Sequence, residues 1–346
     1  MKILIVVDSH FKEYGGPHTA ISQKIEFLNK KNIKNKLIFN RTNNFIFNLD
    51  LEYIISEFDI VHIYGIWRPF LAKTFYTARK LKKKIIISPI GALEPWALKQ
   101  KSLKKKIAWN LYQKKILNSA DILHATSNIE AENFKLKKIG KKIVTISHGI
   151  DVLDKDEPKI KKNKNKKLIY FSRIHEKKGL LELVDIWKDL KNKHNWELHI
   201  YGPISNIKYY NKIISLIKKN NLSNEIKNLG SIFKNQTKNK IFNDANGFIL
   251  PSKSENFGIS IGESLSFGVP VLTTLQTPWK IINDYKAGYV FNFSKENIQK
   301  NLDKFMACSQ EAQHEMSKNA VKLIKENFES EYILNQYVKL YEDLLK

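Results

Sequence analysis

The sequence predicts an α/β protein made of two Rossmann-like domains whose parallel sheets face a central cleft. Three observations predict it. Short apolar runs alternate with helical patterns along most of the chain, a charged segment at 151–167 almost without apolar residues interrupts the alternation, and the alternation then restarts. Short buried strands separated by helices need crossover connections and therefore pair in parallel. A chain of 346 residues also exceeds what one hydrophobic core usually supports.

Each element follows from local pattern. Lys2–Val7 is a short apolar run, followed by a glycine-containing loop and a helical stretch over Ala20–Asn29. The same unit recurs as Asp59–Gly65 before a helix from Phe70, as Lys84–Pro89 before a loop, and as Asp121–Thr126 before another helix; Lys142–Ser147 closes the half. Ser127-Asn128-Ile129-Glu130 has capping-box spacing, in which the Ser hydroxyl and the Glu carboxylate satisfy each other's backbone N–H groups at a helix start. After Pro158 and the run Lys161–Lys167, strands are expected at Leu168–Ser172, Trp196–Gly202, Ile226–Gly230, Gly247–Pro251 and Pro270–Thr274. Helices are expected at Gly179–Lys191, Ile207–Lys219, Ile259–Phe267 and from Lys295 onward, with an amphipathic terminal segment Tyr332–Leu345. The division is thus a first domain over 1–155, a linker over 156–167, a second domain over 168–325, and a C-terminal helix over 326–346 able to pack back on the first domain.

Composition limits the function classes. The 42% hydrophobic content is ordinary for a globular protein. The opening apolar run is too short for a signal-peptide core, and no stretch approaches roughly 18 consecutive apolar residues, so the expected location is the cytoplasm or the inner face of the cytoplasmic membrane. Cys308 stands alone, which leaves no intrachain disulfide and reads as an idle or buried thiol. The net charge of +25 favours an anionic partner: lipid headgroups, nucleic acid or phosphorylated substrates. Between Ile60 and Ala120 fourteen Lys and Arg residues face a single acid, Glu94, although a Lys-rich composition throughout is the plainer reading of the excess.

In open α/β sheets ligands bind beyond the carboxyl ends of the strands, so the loops there carry the chemistry. Gly15-Gly16-Pro17 precedes a helix, where glycine allows close backbone approach to phosphate and the helix N–H groups attract its charge; such a turn is equally often structural. In the second half, Arg173 and Lys178 follow the first strand, beside the helix opened by Gly179, and two fixed cations there suit a diphosphate. Farther on, Glu255 and Glu263 stand eight residues apart, one in a loop and one inside the next helix, with Asn256, Phe257, Gly258 and Ile259 between them. A carboxylate can accept two hydroxyl hydrogen bonds, so one glutamate at each end of a nucleotide sugar makes chemical sense.

On these motifs the chain resembles a GT-B glycosyltransferase of family 4, the large retaining family, over nearly its whole length. The carrying residues are the Glu255…Glu263 pair with Phe257-Gly258, Gly268-Val269-Pro270-Val271, Arg173 and Lys178, Gly15-Gly16, and His148-Gly149-Ile150-Asp151. Ser88–Leu98 resembles a subgroup common in bacterial polysaccharide and lipopolysaccharide assembly. The resemblance implies a UDP-sugar or GDP-sugar donor and no cofactor or metal. It places Glu263 on the ribose, Glu255 on the donor sugar, the backbone of Phe257, Gly258 and Ile259 near sugar and phosphate, and Arg173 and Lys178 on the departing diphosphate. It also implies an acceptor hydroxyl on a glycan or lipid-linked glycan and no protein nucleophile.

The chain departs from the family where many members carry a histidine after the strand Lys84–Pro89; here the loop reads Ser88-Pro89-Ile90-Gly91. Acceptor-side candidates are then Glu94, which could equally pair with nearby lysines, and His62, which could equally be a packed core imidazole. His124, inside a strand, reads as a satisfied buried imidazole. Asp154-Lys155-Asp156 imitates a metal-binding pair but reads as solvated linker charge. Ser102–Leu117 reads as a basic amphipathic helix suited to an anionic membrane surface, unless its apolar residues pack on the sheet. The rival classes are a nucleic-acid-binding protein, which lacks any recognisable module here, and a sugar-nucleotide epimerase of the same fold.

Overall fold

The computed structural model describes residues 1–8, 16–39, 50–152, 158, 165–232 and 235–346, the side chains of 17 and 235 excepted. Gly15, Asp154-Lys155-Asp156 and most of the expected linker 156–167 lie outside the described residues. The chain forms two compact units, Met1–Gly149 together with Ser330–Lys346, and Ile150–Glu329.

The first unit runs β1 (Lys2–Val7), α1 (Gly16–Lys30), β2 (Lys34–Phe39), α2 (Leu51–Ser56), β3 (Ile60–Tyr64), α3 (Pro69–Lys80), β4 (Lys84–Ser88), α4 (Pro95–Lys99), α5 (Ser102–Ala108), a π turn (Trp109–Gln113), α6 (Lys114–Ser119), β5 (Ile122–Ala125), α7 (Asn128–Leu136) and β6 (Ile143–Thr145). Its six strands pair in parallel in the order β2-β1-β3-β4-β5-β6. The second unit runs β7 (Lys166–Phe171), a single 3₁₀ turn (Glu176–Lys178), α8 (Leu180–Trp187), β8 (Trp196–Tyr201), α9 (Ile207–Lys219), β9 (Ile226–Asn228), α10 (Asn235–Asp244), β10 (Gly247–Leu250), α11 (Ile259–Ser266), β11 (Val271–Thr274), α12 (Ile281–Asp284), β12 (Gly288–Phe291), α13 (Lys295–Met306) and α14 (Gln310–Asn327). Its sheet is also six-stranded and parallel, in the order β12-β11-β10-β7-β8-β9. The last helix, α15 (Ser330–Leu345), returns to the first unit. Among the described residues no helix is long and apolar enough to cross a membrane.

Side-chain parity in the strands decides what each face of the first sheet buries. Leu4, Val6, Val61, Ile63, Ile85 and Ile87 face one way, into a core shared with α2, α3, α6 and α7. Ile3, Ile5, Val7, Ile60 and Ile86 face the other, against α1 and α15. The same parity puts His62, Tyr64, Ser88 and His124 on the α15 side, and all four are buried. They form one hydrogen-bonded cluster. His62 Nδ1 lies 2.8 Å from the Tyr341 hydroxyl and its Nε2 2.8 Å from Ser88 Oγ. Ser88 Oγ in turn meets His124 Nδ1 at 2.6 Å, and His124 Nε2 meets the Ile146 carbonyl at 2.9 Å. Lys24, from α1, donates to Tyr64 Oη with its ammonium 3.1 Å from the centroid of the Tyr337 ring. Burial pushes Lys24, His62 and His124 well below their usual values, and it lowers His148 to about 3, so the imidazoles are neutral.

Several expectations are corrected. The segment Ser102–Leu117 is not a plain α-helix: α5, the π turn and α6 follow one another with helical backbone at each junction. The strands β2 and β12 and the helices α2 and α10 were not anticipated, and β7 starts two residues before the expected Leu168. The capping box at Ser127 is only half formed: Ser127 Oγ accepts from Glu130 N at 3.2 Å, but the Glu130 carboxylate turns elsewhere.

Because Tyr341 supplies both a filled ring and a partner to His62, Tyr341→Phe is expected to cost about 1–3 kcal/mol and Tyr341→Ala about 3–5 kcal/mol. Urea denaturation of the full chain measures both. An alanine variant as stable as the parent would remove α15 from the core.

Candidate active site

Counted from β7, the second sheet has strand order 3-2-1-4-5-6, in which the direction of winding reverses between β7 and β10. The loops after those two strands carry Arg173 and Lys178 on one side and Glu255 on the other. They are tied together. The Lys177 carbonyl accepts from Lys253 N at 2.7 Å and from Ser252 Oγ at 3.1 Å. Gly179, at φ 70°, lets the β7 loop pass so close that a Cβ there would stand 2.1 Å from the Pro251 carbonyl oxygen. Glu255 N donates to Gln276 O at 3.0 Å, adding the loop after β11 to the set.

Lys178 and Glu255 form an ion pair, with side chains only 13% and 9% exposed. Burial alone would raise the Glu255 carboxyl, but Lys178 and Lys177 outweigh it and hold it below the usual range. Burial lowers Lys178, and its attraction to Glu255 only partly restores it. Arg173 is exposed, and its charge is felt by Lys178. His175 caps the short 3₁₀ turn by accepting from Lys177 N at 3.1 Å, and burial together with Arg173 lowers its pKa.

The helix α11 starts at Gly258, held at φ 80°, with no side chain capping it. Its first N–H groups, Ile259 among them, point out of the helix start as an anion site needs. Trp279 Nε1 donates to the Phe257 carbonyl, and the Phe257 ring packs on Trp279 and Phe328, so this residue is a backbone anchor with a buried side chain. Asn256, the residue before it, is half-buried. Glu263 lies one turn into α11, and its Oε1 accepts from Lys238 Nζ of α10 at 2.6 Å. Lys238 escaped the sequence reading because α10 is a strongly polar stretch with few apolar residues to announce a helix, and nothing in sequence links position 238 to position 263. Ser252 and Lys177 were missed for a related reason, since they act through hydroxyl and carbonyl groups that no motif records.

Comparison with known proteins identifies the second unit's sequence and the fold of the whole chain. Residues 152–323 match the model of the family described as glycosyl transferases group 1. A glycosyltransferase from Rickettsia africae has a TM-score of 0.76 at 19% identity, over 100% of this chain and 98% of its own. Anabaena Alr3699/HepE, solved in complex with UDP and glucose, has a TM-score of 0.78 at 15% identity, over 99% of this chain and 100% of its own. An uncharacterized 41.2 kDa protein in the cps region of Klebsiella pneumoniae is 22% identical over 337 residues, spanning 89% of this chain and 87% of that one. Residues 152–323 thus form a glycosyl transferases group 1 domain. The chain's two six-stranded parallel sheets are those of the GT-B fold.

In the first unit of this glycosyltransferase, Gly16 opens α1 beyond the end of β1. His62, expected as an acceptor-side candidate, is instead fully buried under α15, with both ring nitrogens engaged by Tyr341 and Ser88. Strand parity sends it into the core. Glu94 is 4% exposed; it precedes α4 and raises the pKa of Glu130. Glu130 itself clamps two loops. Its Oε1 accepts from Gly91 N at 2.7 Å, and its Oε2 from Thr126 N at 2.8 Å and Thr126 Oγ1 at 3.0 Å. The clamped loop holds Ile90 at φ 51°, a left-handed conformation that a β-branched residue adopts only under strain.

Burial raises Glu130 from 4.5 to about 7 in spite of the three donors that favour its ionised form. The folded unit therefore keeps a proton that the unfolded chain releases between about 4.5 and 7, and this stabilisation is lost as pH rises through that window. The loss amounts to about 3 kcal/mol at most. Glu130→Gln should flatten the fall in stability between pH 5 and pH 8, as read by denaturation of both proteins at each pH. Equal falls in the two proteins would show that Glu130 does not titrate there.

Proposed function

We propose that this glycosyltransferase moves a sugar from a UDP-sugar or GDP-sugar to a hydroxyl of a glycan or lipid-linked glycan, with retention of anomeric configuration and without a metal. The setting would be cell-surface polysaccharide or lipopolysaccharide assembly on the inner face of the cytoplasmic membrane. The carrying observation is the buried Lys178–Glu255 pair beside the uncapped start of α11, one helical turn from Glu263. The cps-region relative supports the polysaccharide setting, and the UDP in the HepE structure makes UDP the first nucleotide to test.

The chemistry follows from the charges. Glu263, with Oε1 on Lys238, offers its second oxygen to the ribose hydroxyls. The diphosphate lies against Arg173, Lys178 and the N–H groups of Gly258 and Ile259. As the bond from sugar C1 to the diphosphate oxygen breaks, its electron pair goes to that oxygen, and two fixed cations in a partly dry site stabilise the charge. The acceptor hydroxyl attacks C1 from the face being vacated and gives its proton to the departing phosphate. No side-chain nucleophile takes part. Glu255, bound to Lys178, orients the sugar hydroxyls.

Calorimetry with UDP, GDP and ADP in excess EDTA tests the donor site. One nucleotide should bind the parent, and Glu263→Ala should weaken it roughly 10- to 100-fold, the worth of one charge-assisted hydrogen bond. Binding that needs a divalent metal or ignores Glu263 would remove the proposal. Once the donor and acceptor are known, Lys178→Ala should lower kcat about 10²–10³-fold, as loss of a transition-state charge partner does, and NMR of the product should show the donor's anomeric configuration.

A further inference from the structure

We propose that the outward face of α5 and the π turn docks on an anionic lipid bilayer. The helical segment is fixed from one side only. Gln113, Ile116 and Leu117 are buried, Gln113 Oε1 accepts from Trp67 N at 3.1 Å, and Tyr112 Oη donates to Trp67 O at 3.2 Å. On the other side Leu103, Ile107 and Leu111 are 71%, 53% and 74% exposed.

These three aliphatic side chains succeed one another at intervals of four. In a regular α-helix such a row drifts by about 40° per step. The π turn at Trp109–Gln113 has more residues per turn, so it brings Leu111 closer to the line of Leu103 and Ile107. The result is a continuous aliphatic ridge in water, which soluble surfaces generally avoid unless it has a partner.

The surroundings select the partner. Lys101, Lys104 and Lys106 are exposed along the same segment. The only acid between Ile60 and Ala120 is Glu94, and it is buried. An aliphatic ridge edged by lysines and by no exposed acid from this stretch matches acyl chains below a layer of anionic headgroups. Nucleic acid would use the lysines and leave the ridge in water. The inference deepens the proposed function, on which it rests for its purpose, because a lipid-linked acceptor lies at such a surface; the chemistry of the face is independent of the donor site.

The test is co-sedimentation of the full chain with vesicles of phosphatidylcholine alone or with about 30% phosphatidylglycerol, at low and moderate salt. Binding is expected only with the anionic lipid. Substituting Leu103, Ile107 and Leu111 together by Gln should lower it roughly tenfold or more. Substituting Lys101, Lys104 and Lys106 by Gln should lower it roughly fivefold for each lysine. Binding of whichever of UDP and GDP the parent takes, measured on every variant, should stay at the parent's level and reports that each is folded. Absence of vesicle binding, or equal binding by the Leu/Ile triple variant, overturns the proposal, as does tighter binding to duplex DNA that the aliphatic substitutions leave unchanged. Vesicle binding by a parent that binds neither UDP nor GDP would sink the donor reading and leave this surface standing; binding of either nucleotide without vesicle binding would do the reverse.

Discussion

The second unit is organised around one constraint, the burial of Lys178 and Glu255 together. Either charge alone at that depth would be costly, and removing one partner from a buried pair typically costs about 3–5 kcal/mol. Two loops that start from different strands must therefore arrive in register. The strand order supplies the opening, because the winding reverses between β7 and β10. Gly179 supplies the close approach, and the Lys177 carbonyl, shared by Lys253 and Ser252, fixes the height of one loop on the other. Each charge satisfies the other, and the ammonium, with three donors, has capacity for a second anion.

The first unit meets the same sheet geometry with the opposite solution. Its polar residues at the strand ends, His62, Tyr64, Ser88 and His124, are closed over by Tyr337 and Tyr341 of α15 and kept neutral by burial. Lys24 is the one basic group in the cluster with an ammonium to place, and it sits on a hydroxyl and an aromatic face instead of a carboxylate. Such a cluster specifies how α15 seats, since a shift of one residue would leave several buried polar groups unpaired at about 1–3 kcal/mol each. The chain thus uses its last helix as part of the core of its first unit.

What could be read in the sequence follows this physics. Strands buried on both faces, such as Lys2–Val7 and Gly247–Leu250, announce themselves as apolar runs. β2, with the sequence Lys-Asn-Lys-Leu-Ile-Phe at the sheet edge, does not, nor does polar α10, whose Lys238 completes the site. The placing of Arg173 and Glu255 in loops after strands, and of Glu263 inside the next helix, was legible because the apolar runs before them mark where the strands end. His62 was not, because its fate depends on which helix covers one face of the sheet, and that helix comes from the far end of the chain. The direction of Leu103, Ile107 and Leu111 was equally hidden, since helical periodicity alone does not reveal a π turn.

The excess positive charge therefore has two distinct settings. In the second unit the cations that matter face carboxylates at contact distance in a partly dry environment: Lys178 on Glu255, Lys238 on Glu263. Salt ions cannot enter those gaps, so ionic strength acts weakly on them. Along α5 the lysines stand in water, where the Debye length is about 10 Å at 0.1 M salt and attraction to a distant anionic surface is largely screened. The proposed donor binding and the proposed surface attachment would thus be electrostatic processes of different range in one chain. A rise in ionic strength would therefore weaken the proposed surface contact along α5 well before it reached the ion pairs of Lys178 and Lys238.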